Sequence, residues 1–468
     1  MTSNRESWED TQGRLIALGE RIVETARKSG ADVAEAVIGE GSHLSAKVRM
    51  REPELVEEAG SRSVGLRVMV GKQVAVSTTS DLTDRGIARF VEDAIELARL
   101  SQPDPSSGPP DSTLLSTREQ HVELDLHDDR VDGIDAAAAL RHAKTAEAAA
   151  LDFDPRITNS EGASFGRASG ARAIVTSGGF RGVSRGTYAS LSVNPVVDDT
   201  TTTEGSAGKK RSGYYWTAKR HYAGLDSDES VGREAARRTL AKIGARKVDT
   251  QECPVVFDPD VARSILGLIA SCINGGAIWR RSSYLLDRVG TQVASDLVTV
   301  IDDPLLPQGP GSRPYDGEGL LSRRNVIIEK GKLQSYLLDT YSARKLGLQS
   351  TASASRGGSG GVAPGTTNFI LQPGTTSAAD IVKATKRGLY VTEMMGFGFN
   401  AVTGDFSRGA AGFWIENGEK TFPVGEVTIS LDLDQMLQRI DMVGSDLDLR
   451  TSVASPTFRI SAMTLAGR

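Results

Sequence analysis

The chain has 468 residues, of which 25% are charged and 39% hydrophobic, a composition typical of a soluble globular protein with more than one domain. With 55 basic and 60 acidic residues, the formal net charge is −5, so bulk electrostatics give no reason to expect a nucleic-acid partner. No apolar run approaches the roughly 18 residues of a membrane-spanning helix, and two cysteines make no disulfide framework. We therefore expect a cytoplasmic protein that binds neither a membrane nor nucleic acid.

The first hundred residues predict a compact α+β domain, followed by a linker. Apolar residues recur at helical spacing in two segments and alternate with polar residues in two others, the periods of amphipathic helices and half-buried strands. The predicted elements are helices over 15–26 and 87–98 and strands over 44–50 and 64–70. Proline and serine dominate residues 101–113, which predicts a linker after the domain of residues 1–100.

Residues 114–248 predict a central region in which a helix precedes a glycine-rich β segment. The helix is alanine-rich and is predicted over 134–151. From 158 to 222 the pattern indicates strands that glycines interrupt, and a further helix over 231–243 closes the region.

Residues 249–468 predict a C-terminal domain rich in antiparallel β-structure. A buried-type strand at Pro254–Phe257 leads through an N-cap, Asp258, into a helix that Gly275-Gly276 is expected to end. Other predictions are helices near Ser377–Arg387 and Leu433–Ile440, a hairpin turn at Asn417-Gly418 and a flexible loop over Ser353–Pro364. The predicted fold class is α+β, with N-terminal sandwich-like α/β domains before this antiparallel part.

Side chains for metal or acid–base chemistry are sparse in the C-terminal half. No histidine follows His221, and Cys253 and Cys272 lack the spacing of a zinc ribbon. Imidazole is the commonest metal ligand and the usual base near neutral pH, so this half predicts neither a His-based zinc site nor a Ser-His-Asp triad. Both cysteines are expected to be buried as small apolar side chains.

Carboxylates are the remaining candidates for acid–base or metal chemistry. A possible cluster consists of Asp302, Asp303, Asp316 and Glu318. The neighbouring Pro304 and Gly317 make ordinary turn sequences, and we favour the turn interpretation. The glycine-rich stretch Thr392–Gly412 predicts either tight hairpin turns or a wall that another chain approaches closely, and the two are compatible.

Several segments, taken in order, resemble the TldD/PmbA family and specifically its PmbA (TldE) branch. The densest match is Thr392–Glu419, TEMMGFGFNAVTGDFSRGAAGFWIENGE, and a weaker one is Gly65–Ser77. The others are Ile157–Phe165, Arg233–Leu240, Pro254–Phe257, Gly275–Asp287 and Tyr341–Gly347. Their order and spacing extend the resemblance over most of the chain.

The resemblance implies a zinc centre that this chain lacks. In the family, the TldD-type subunit carries HExxxH on the helix after the buried strand; its two histidines and a later cysteine hold zinc, and its glutamate is the general base. Here Leu266, Gly267 and Ser271 are placed at the His, Glu and His positions, and Arg450–Pro456 has no cysteine. We therefore expect no catalytic residue, no metal ligand and no cofactor in this chain.

The resemblance also implies partners. A PmbA-type subunit is expected to pair with a zinc-containing TldD-like subunit that carries HExxxH, enclosing a chamber that cleaves unfolded or leader peptides; related proteins were also described as modulators of DNA gyrase. Candidates for the chamber wall or the partner contact are Arg280, Arg281, Asn400, Asp405 and Arg408. Two alternatives stay open: a stand-alone peptide-binding homodimer, and a hydrolase that uses carboxylate or hydroxyl groups instead of zinc.

Overall fold

The computed structural model describes residues 6–201 and 208–467, and it confirms a mixed α/β protein with sheet-rich domains. Part of the predicted strand region, residues 202–207, lies outside the described residues. The elements of the N-terminal half are α1 Trp8–Lys28, β1 Val33–Arg49, β2 Glu52–Val70, β3 Gln73–Thr79, α2 Asp84–Leu100, α3 Asp129–Asp132, α4 Ala136–Leu151, β4 Asn159–Thr176, β5 Arg181–Asp198, β6 Lys210–Ser212, β7 Tyr215–Lys219 and α5 Asp228–Leu240.

A single antiparallel sheet runs through the described part of this half. Its strand order is β3-β2-β1-β4-β5-β6, and β7 also pairs with β5. Strand β1 lies between β2 and β4, so the predicted segments 1–100 and 114–248 contribute strands to the same sheet. The predicted strands over 44–50 and 64–70 fall at the ends of two much longer strands, β1 and β2.

Four helices cover one face of this sheet in two pairs. Helices α1 and α2 pack over one apolar cluster, and α4 and α5 pack over another. At the boundary between the clusters, Gly41, Gly170 and Gly186 lie opposite one another on β1, β4 and β5. A side chain at Gly41 would place its Cβ 2.8 Å from the carbonyl oxygen of Ser169, so glycine allows the strands to approach closely at this level.

The C-terminal half contains shorter elements and more loops. They are β8 Gln251–Phe257, α6 Pro259–Cys272, α7 Gly275–Trp279, β9 Val300–Asp302, β10 Asn325–Glu329, β11 Lys332–Leu333, α8 Thr340–Leu346, β12 Ala354–Arg356, β13 Val362–Pro364, β14 Phe369–Leu371, α9 Ala378–Lys383, β15 Arg387–Met395, β16 Asp405–Glu416, β17 Glu419–Asp432, α10 Leu433–Gln438, β18 Ile440–Val443, β19 Val453–Ala454 and β20 Phe458–Ala466.

Two sheets build the core of this half. One has the order β17-β16-β15-β8-β20-β18, and an additional β17–β20 pairing closes five of its strands on themselves. The other has the order β11-β10-β9-β14-β19. Helix α6 follows β8 and contributes to the largest apolar cluster, together with side chains from both sheets. None of the helices in the described part of the chain combines the length and apolar character needed to cross a bilayer.

Two predicted helix boundaries in this half are wrong. Helix α6 ends at Cys272, and Gly275-Gly276 begins the next helix, where the Asn274 side chain accepts a hydrogen bond from the Gly276 N–H (2.8 Å). The asparagine cap therefore turns a predicted stop into a start. The helix predicted near Ser377–Arg387 ends at Lys383, and Arg387 already pairs with β16 as the first residue of β15.

The prediction of a flexible loop over Ser353–Pro364 is also wrong. Strands β12 and β13 pair as an antiparallel hairpin, and only the turn between them is glycine-rich. The buried Arg356 guanidinium donates to the Glu35 carboxylate on β1 (2.6 Å), which also accepts from Arg67 on β2 (3.1 Å). The hairpin is therefore anchored to the face of the N-terminal sheet opposite the helices, through an ion cluster that local composition does not reveal.

The predicted linker, residues 101–113, is also held against the C-terminal half. The Asp104 carboxylate accepts a hydrogen bond from the Tyr341 hydroxyl (2.7 Å) and pairs with Lys345 (2.8 Å). The Arg344 guanidinium donates to the carbonyl oxygens of Gly108 (3.0 Å) and Pro109 (2.6 Å). Contacts with α8 therefore fix the path of this irregular segment.

Candidate functional site

Helix α6 begins as its sequence predicts. The Asp258 carboxylate accepts a hydrogen bond from the Asp260 N–H (3.1 Å), and Pro259 occupies the first helical position, where a missing N–H costs nothing. The face that packs into the core carries Val261, Ala262, Ile265, Leu266, Ile269 and Cys272. Burial raises the pKa of the Cys272 thiol to about 11, so this cysteine is protonated near neutral pH.

The three positions assigned to the zinc motif lie in different surroundings. Leu266 is buried in the core, whereas Ser271 is exposed and Gly267 is half-buried on the outward side. Leucine and glycine side chains cannot bind zinc, so the chemistry of these residues, and not their spacing, argues against a metal here. A Cβ at Gly267 would meet no atom within 4 Å, which leaves open space beside it.

The outward face of α6 offers no ligand that zinc prefers. It carries Ser264, Gly267, Leu268 and Ser271. Both hydroxyls donate back to the helix, from Ser264 to the Val261 carbonyl (2.8 Å) and from Ser271 to the Leu268 carbonyl (2.6 Å). Zinc sites use thiolate, imidazole and carboxylate groups, and no set of three such side chains is grouped for a metal anywhere in residues 6–201 and 208–467. A zinc ion therefore does not fit this helix.

Two other segments meet the C-terminal end of α6. The Ser283 hydroxyl donates to the carbonyl oxygen of Cys272, the last residue of α6 (2.6 Å). The next residue, Tyr284, donates its backbone N–H to the carbonyl oxygen of Ala401 (2.8 Å). The segment 280–284 thus lies between α6 and the connection from β15 to β16, which brings both groups of predicted chamber residues into one region.

Asn400 and Asp405 shape the turn before β16. The Asn400 N–H donates to the Asp405 carbonyl (2.9 Å), the Gly404 N–H donates to the Asn400 carbonyl (2.8 Å), and the Thr403 hydroxyl donates to the Asp405 carboxylate (2.6 Å). Both Asn400 and Asp405 are exposed. Arg408 is half-buried, and its Nε has no acceptor among the described residues.

Arg280 and Arg281 follow α7 and are exposed. The Arg280 guanidinium lies 5.1 Å from the centre of the Trp279 ring, and Arg281 adopts a positive φ of 56°. Neither arginine forms an ion pair with any residue that the structure describes. Their charges are therefore available to a partner or to a carboxylate of a substrate.

The sequence prediction missed a group of exposed apolar side chains in the segment 395–402, namely Met395, Phe397 and Val402. Phe397 is fully exposed, and the other two are about half exposed (49% and 56%). Beside it opens a cavity of about 620 Å³, whose lining includes Phe397, Phe399, Asn400, Asp405, Phe406 and Leu431. Exposed apolar patches rimmed by polar residues mark interaction sites. The sequence feature that could have indicated these exposed side chains is an aromatic residue between two glycines, Gly396 and Gly398.

The carboxylates predicted as a possible cluster are mostly buried and engaged in local structure. Asp302 accepts hydrogen bonds from the Thr367 N–H (2.6 Å) and hydroxyl (2.9 Å), and burial raises its pKa to about 6. Asp316 accepts from the backbone N–H groups of Glu318, Leu320 and Ala354 (2.9–3.1 Å). Burial also raises the pKa of Asp316, and that of Glu318, which accepts two bonds from Thr340.

These contacts assign turn and capping roles to Asp316 and Glu318, the interpretation that the sequence favours. The hydrolase alternative would need carboxylates that lie close together. Asp302 lies in β9, whereas Asp405 is exposed at the start of β16 in a different sheet. Asp303 accepts a hydrogen bond from the Leu305 N–H (2.9 Å), again within a turn. No contact among the described residues joins Asp302 or Asp303 to Asp405.

Comparison with known proteins decides the family. Three domain models match residues 34–98, 129–243 and 250–467, and they describe domain 1, the central domain and the C-terminal domain of PmbA/TldA metallopeptidases. The chain belongs to the PmbA/TldD metallopeptidase family. The resemblance drawn from the sequence segments is thereby confirmed.

PmbA proteins match this family member over nearly its whole length. Metalloprotease PmbA of Escherichia coli O157:H7 is 36% identical over 437 residues, which cover 93% of each chain. The PmbA homolog of Haemophilus influenzae is 36% identical over 446 residues, covering 95% of this chain and 94% of its own. A TldD homolog from H. influenzae is 27% identical over 299 residues, covering 59% of this chain and 61% of its own.

Solved structures share the fold. A Bacteroides thetaiotaomicron protein, named for a proposed role as a modulator of DNA gyrase, superposes with a TM-score of 0.89 at 26% identity and covers 99% of this chain and 100% of its own. TldE from Thermococcus kodakarensis superposes with a TM-score of 0.84 at 21% identity, and the match covers 96% of this chain and 100% of its own. The PmbA/TldD fold therefore accounts for almost the entire chain.

Proposed function

We propose that this PmbA/TldD family member is a TldE-type subunit without peptidase chemistry of its own. The observation that carries the proposal is the outward face of α6, where Ser264, Gly267, Leu268 and Ser271 supply neither a zinc ligand nor a general base. The catalytic zinc would belong to a TldD-type partner that carries HExxxH. Together the two subunits would cleave unfolded or leader peptides in the cytoplasm.

In this proposal the region beside α6 provides the contact with the partner and one wall of the chamber. The exposed Phe397 is a candidate anchor, because burying one large aromatic side chain contributes much of an interface's binding energy. Arg280, Arg281, Asn400, Asp405 and Arg408 supply polar groups around it. A homodimer that uses the same surface is the competing arrangement, since related subunits can share interface surfaces.

The first test separates the chain's own chemistry from that of a partner. The purified chain is assayed for zinc content and for cleavage of an unstructured peptide, alone and after addition of a purified TldD-type subunit with HExxxH. We expect substoichiometric zinc and no cleavage alone, and chelator-sensitive cleavage in the mixture. Stoichiometric zinc with chelator-sensitive cleavage by the isolated chain would refute the proposal. Cleavage by the isolated chain that persists in chelator would instead support the carboxylate or hydroxyl hydrolase.

The second test addresses the surface. Phe397→Ser is expected to weaken association with the TldD-type subunit by about ten- to a hundredfold, the cost of losing one buried aromatic side chain. The matched control is Leu100→Ser, which removes another strongly exposed apolar side chain at the end of α2. Light scattering and titration calorimetry provide the measurement. A stable homodimer that does not exchange with the TldD-type subunit would support the homodimer alternative.

A further inference from the structure

One strand of the N-terminal sheet leaves a long edge without a neighbour. Strand β2 pairs with β1 from Glu52 to Met69, whereas β3 pairs with β2 only from Val64 to Val70. Every residue from Glu52 to Ser63 is exposed, and no backbone hydrogen bond within the described residues reaches this stretch from its outer side. We call Glu52–Ser63 the β2 edge. An unpaired edge of this kind presents a row of N–H and C=O groups to any extended chain.

The β2 edge is long enough for a substantial peptide. At about 3.3 Å per residue, twelve residues extend over about 40 Å. Leu55, Glu57 and Ala59 lie opposite Lys47, Ser45 and His43 of β1, on the face away from α4 and α5. Leu55 and Val56 are about half exposed (51% and 44%). An added strand would therefore find both backbone partners and apolar side chains.

The charge of the β2 edge selects among possible occupants. It carries the carboxylates Glu52, Glu54, Glu57 and Glu58 against a single guanidinium, Arg62. Glu54 pairs with Lys47 (2.5 Å) and Glu58 with Arg167 (2.9 Å), but Glu52 and Glu57 have no ion-pair partner among residues 6–201 and 208–467. Free carboxylates along a strand favour a neighbour with lysine or arginine, because opposite charges across a strand pair are stabilising.

We propose that the β2 edge binds an extended, cationic peptide segment as an additional strand. A second copy of this chain fits poorly, because pairing two such edges places glutamates near glutamates and like charges across strands are destabilising. Pro53 removes one N–H near the start of the edge, and proline and charge are the features that keep edges from pairing with themselves. The same carboxylates attract a basic strand.

This inference deepens the proposed function, since it names the class of peptide that the subunit would present to a TldD-type partner. The main chain of such a peptide would supply the affinity, so binding would depend little on its sequence apart from charge. An unfolded chain exposes its backbone, whereas a folded protein has already paired it, and the β2 edge would therefore select unfolded substrates. Binding at the edge needs neither zinc nor the partner.

The test uses the full chain alone and fluorescently labelled peptides of about twelve residues, the length of the edge. One peptide alternates threonine or valine with lysine, and a second replaces each lysine with glutamate. Two further versions of the lysine peptide carry backbone N-methyl groups on one or the other alternate set of residues. An added strand pairs along one side only, so we expect one methylated set to weaken binding about tenfold or more and the other set to be tolerated.

Charge reversal provides the second arm, read by fluorescence anisotropy at low and high salt. Glu57→Lys is expected to weaken binding of the lysine peptide about tenfold at low salt and to strengthen binding of the glutamate peptide. Glu92→Lys, an exposed glutamate on α2, is the matched control and should change neither. Circular dichroism checks that each variant is folded. The comparison of the methylated peptides uses only the wild-type chain, so it does not depend on the folding of any variant.

Three results would overturn the inference: equal binding of both methylated peptides, equal affinity for the lysine and glutamate peptides, or lysine-peptide affinity that Glu57→Lys leaves unchanged. Self-association of the wild-type chain that Glu57→Lys abolishes would assign the edge to a second copy and would equally refute it. Failure of the zinc and cleavage test would not affect these outcomes, so the two proposals fail separately.

Discussion

The buried carboxylate of Glu35 joins the two halves of the molecule, and replacing it with glutamine is expected to loosen that junction. Glu35 lies on β1, accepts a bond from Arg67 on the neighbouring strand, and pairs with Arg356 of the β12–β13 hairpin (2.6 Å). Glu35 and Arg356 are both buried. Beside them the backbone of Gly358 and Ser359 packs against Gly65 so closely that a Cβ at Gly65 would clash.

The structure sets the size of the effect. Burial alone would raise the pKa of Glu35, but the charges of Arg356 and Arg67 outweigh it and hold the pKa at about 2, against an ordinary 4.5. The folded state therefore prefers the ionised form, and this stabilisation is present above pH 4.5 and is lost as the pH falls toward 2. It contributes about 3 kcal/mol at neutral pH. Glutamine leaves two guanidinium groups without their charge partner, a change that costs about 3–5 kcal/mol.

The assay is chemical denaturation of wild type and Glu35→Gln at pH 7 and pH 3, followed by tryptophan fluorescence and circular dichroism. At pH 7 we expect the variant to be about 3–5 kcal/mol less stable. At pH 3 the gap should narrow by about 2 kcal/mol, because the carboxyl of Glu35 is then mostly protonated in the unfolded wild type but still mostly ionised in the folded protein. Limited proteolysis should cut the variant faster in the hairpin turn at 357–361. The control, Glu92→Gln on the exposed face of α2, should stay within about 0.5 kcal/mol.

If the unfolding free energy of Glu35→Gln is within about 0.5 kcal/mol of the wild-type value at pH 7, this reasoning is refuted. A difference that small is what a substitution at an exposed position without specific contacts produces. An equal difference at pH 3 and pH 7 would show that the loss does not come from the carboxylate charge. Unchanged proteolysis of the hairpin, with lower overall stability, would show that other contacts hold the hairpin on the sheet.

Three further predictions concern stability. Burial raises the pKa of Asp302 to about 6, so the folded state favours the protonated carboxyl and the stability of the wild type falls as the pH rises from 3.8 to about 6. We expect Asp302→Asn to be as stable as wild type at pH 4 and about 3 kcal/mol more stable at pH 7. Urea unfolding curves of both proteins at both pH values provide the measurement. Gly267→Ala should stabilise α6 by about 0.5–1 kcal/mol, because its Cβ meets open space. Gly398→Ala should destabilise the protein by about 1–3 kcal/mol, because its Cβ would collide with the Ser407 carbonyl. A melting temperature of Gly267→Ala below that of wild type would contradict the first expectation, and one of Gly398→Ala equal to that of wild type would contradict the second.

Local signals in the sequence predicted most of the elements near the site. Asp258 and Pro259 start α6 because a carboxylate cap and a proline at the first position need only their immediate neighbours. Asn417-Gly418 joins β16 to β17 with both residues at positive φ (53° and 80°), as an Asn-Gly hairpin turn requires. The cap at Asn274 is equally local, but the glycine pair after it suggested the opposite boundary.

Sequence patterns did not predict contacts between residues that are far apart in the chain. Arg356 pairs with Glu35 across 321 residues, and no periodicity links the two. The exposure of Phe397 depends on where the turn before β16 projects, and the exposure of Glu52–Ser63 depends on β3 being shorter than β2. These features decide which surfaces are available, so they govern the proposed partner contact and the proposed peptide edge.

Residue identity alone limits what α6 can offer a metal: no histidine follows His221, and the outward face of the helix carries serine, glycine and leucine. The sequence also indicates the family, through ordered segments along most of the chain. The tertiary structure was needed to show that a glycine-rich segment is a paired hairpin and that a long strand edge has no partner among the described residues. Composition describes a segment alone, whereas burial and pairing depend on the residues that the fold brings against it.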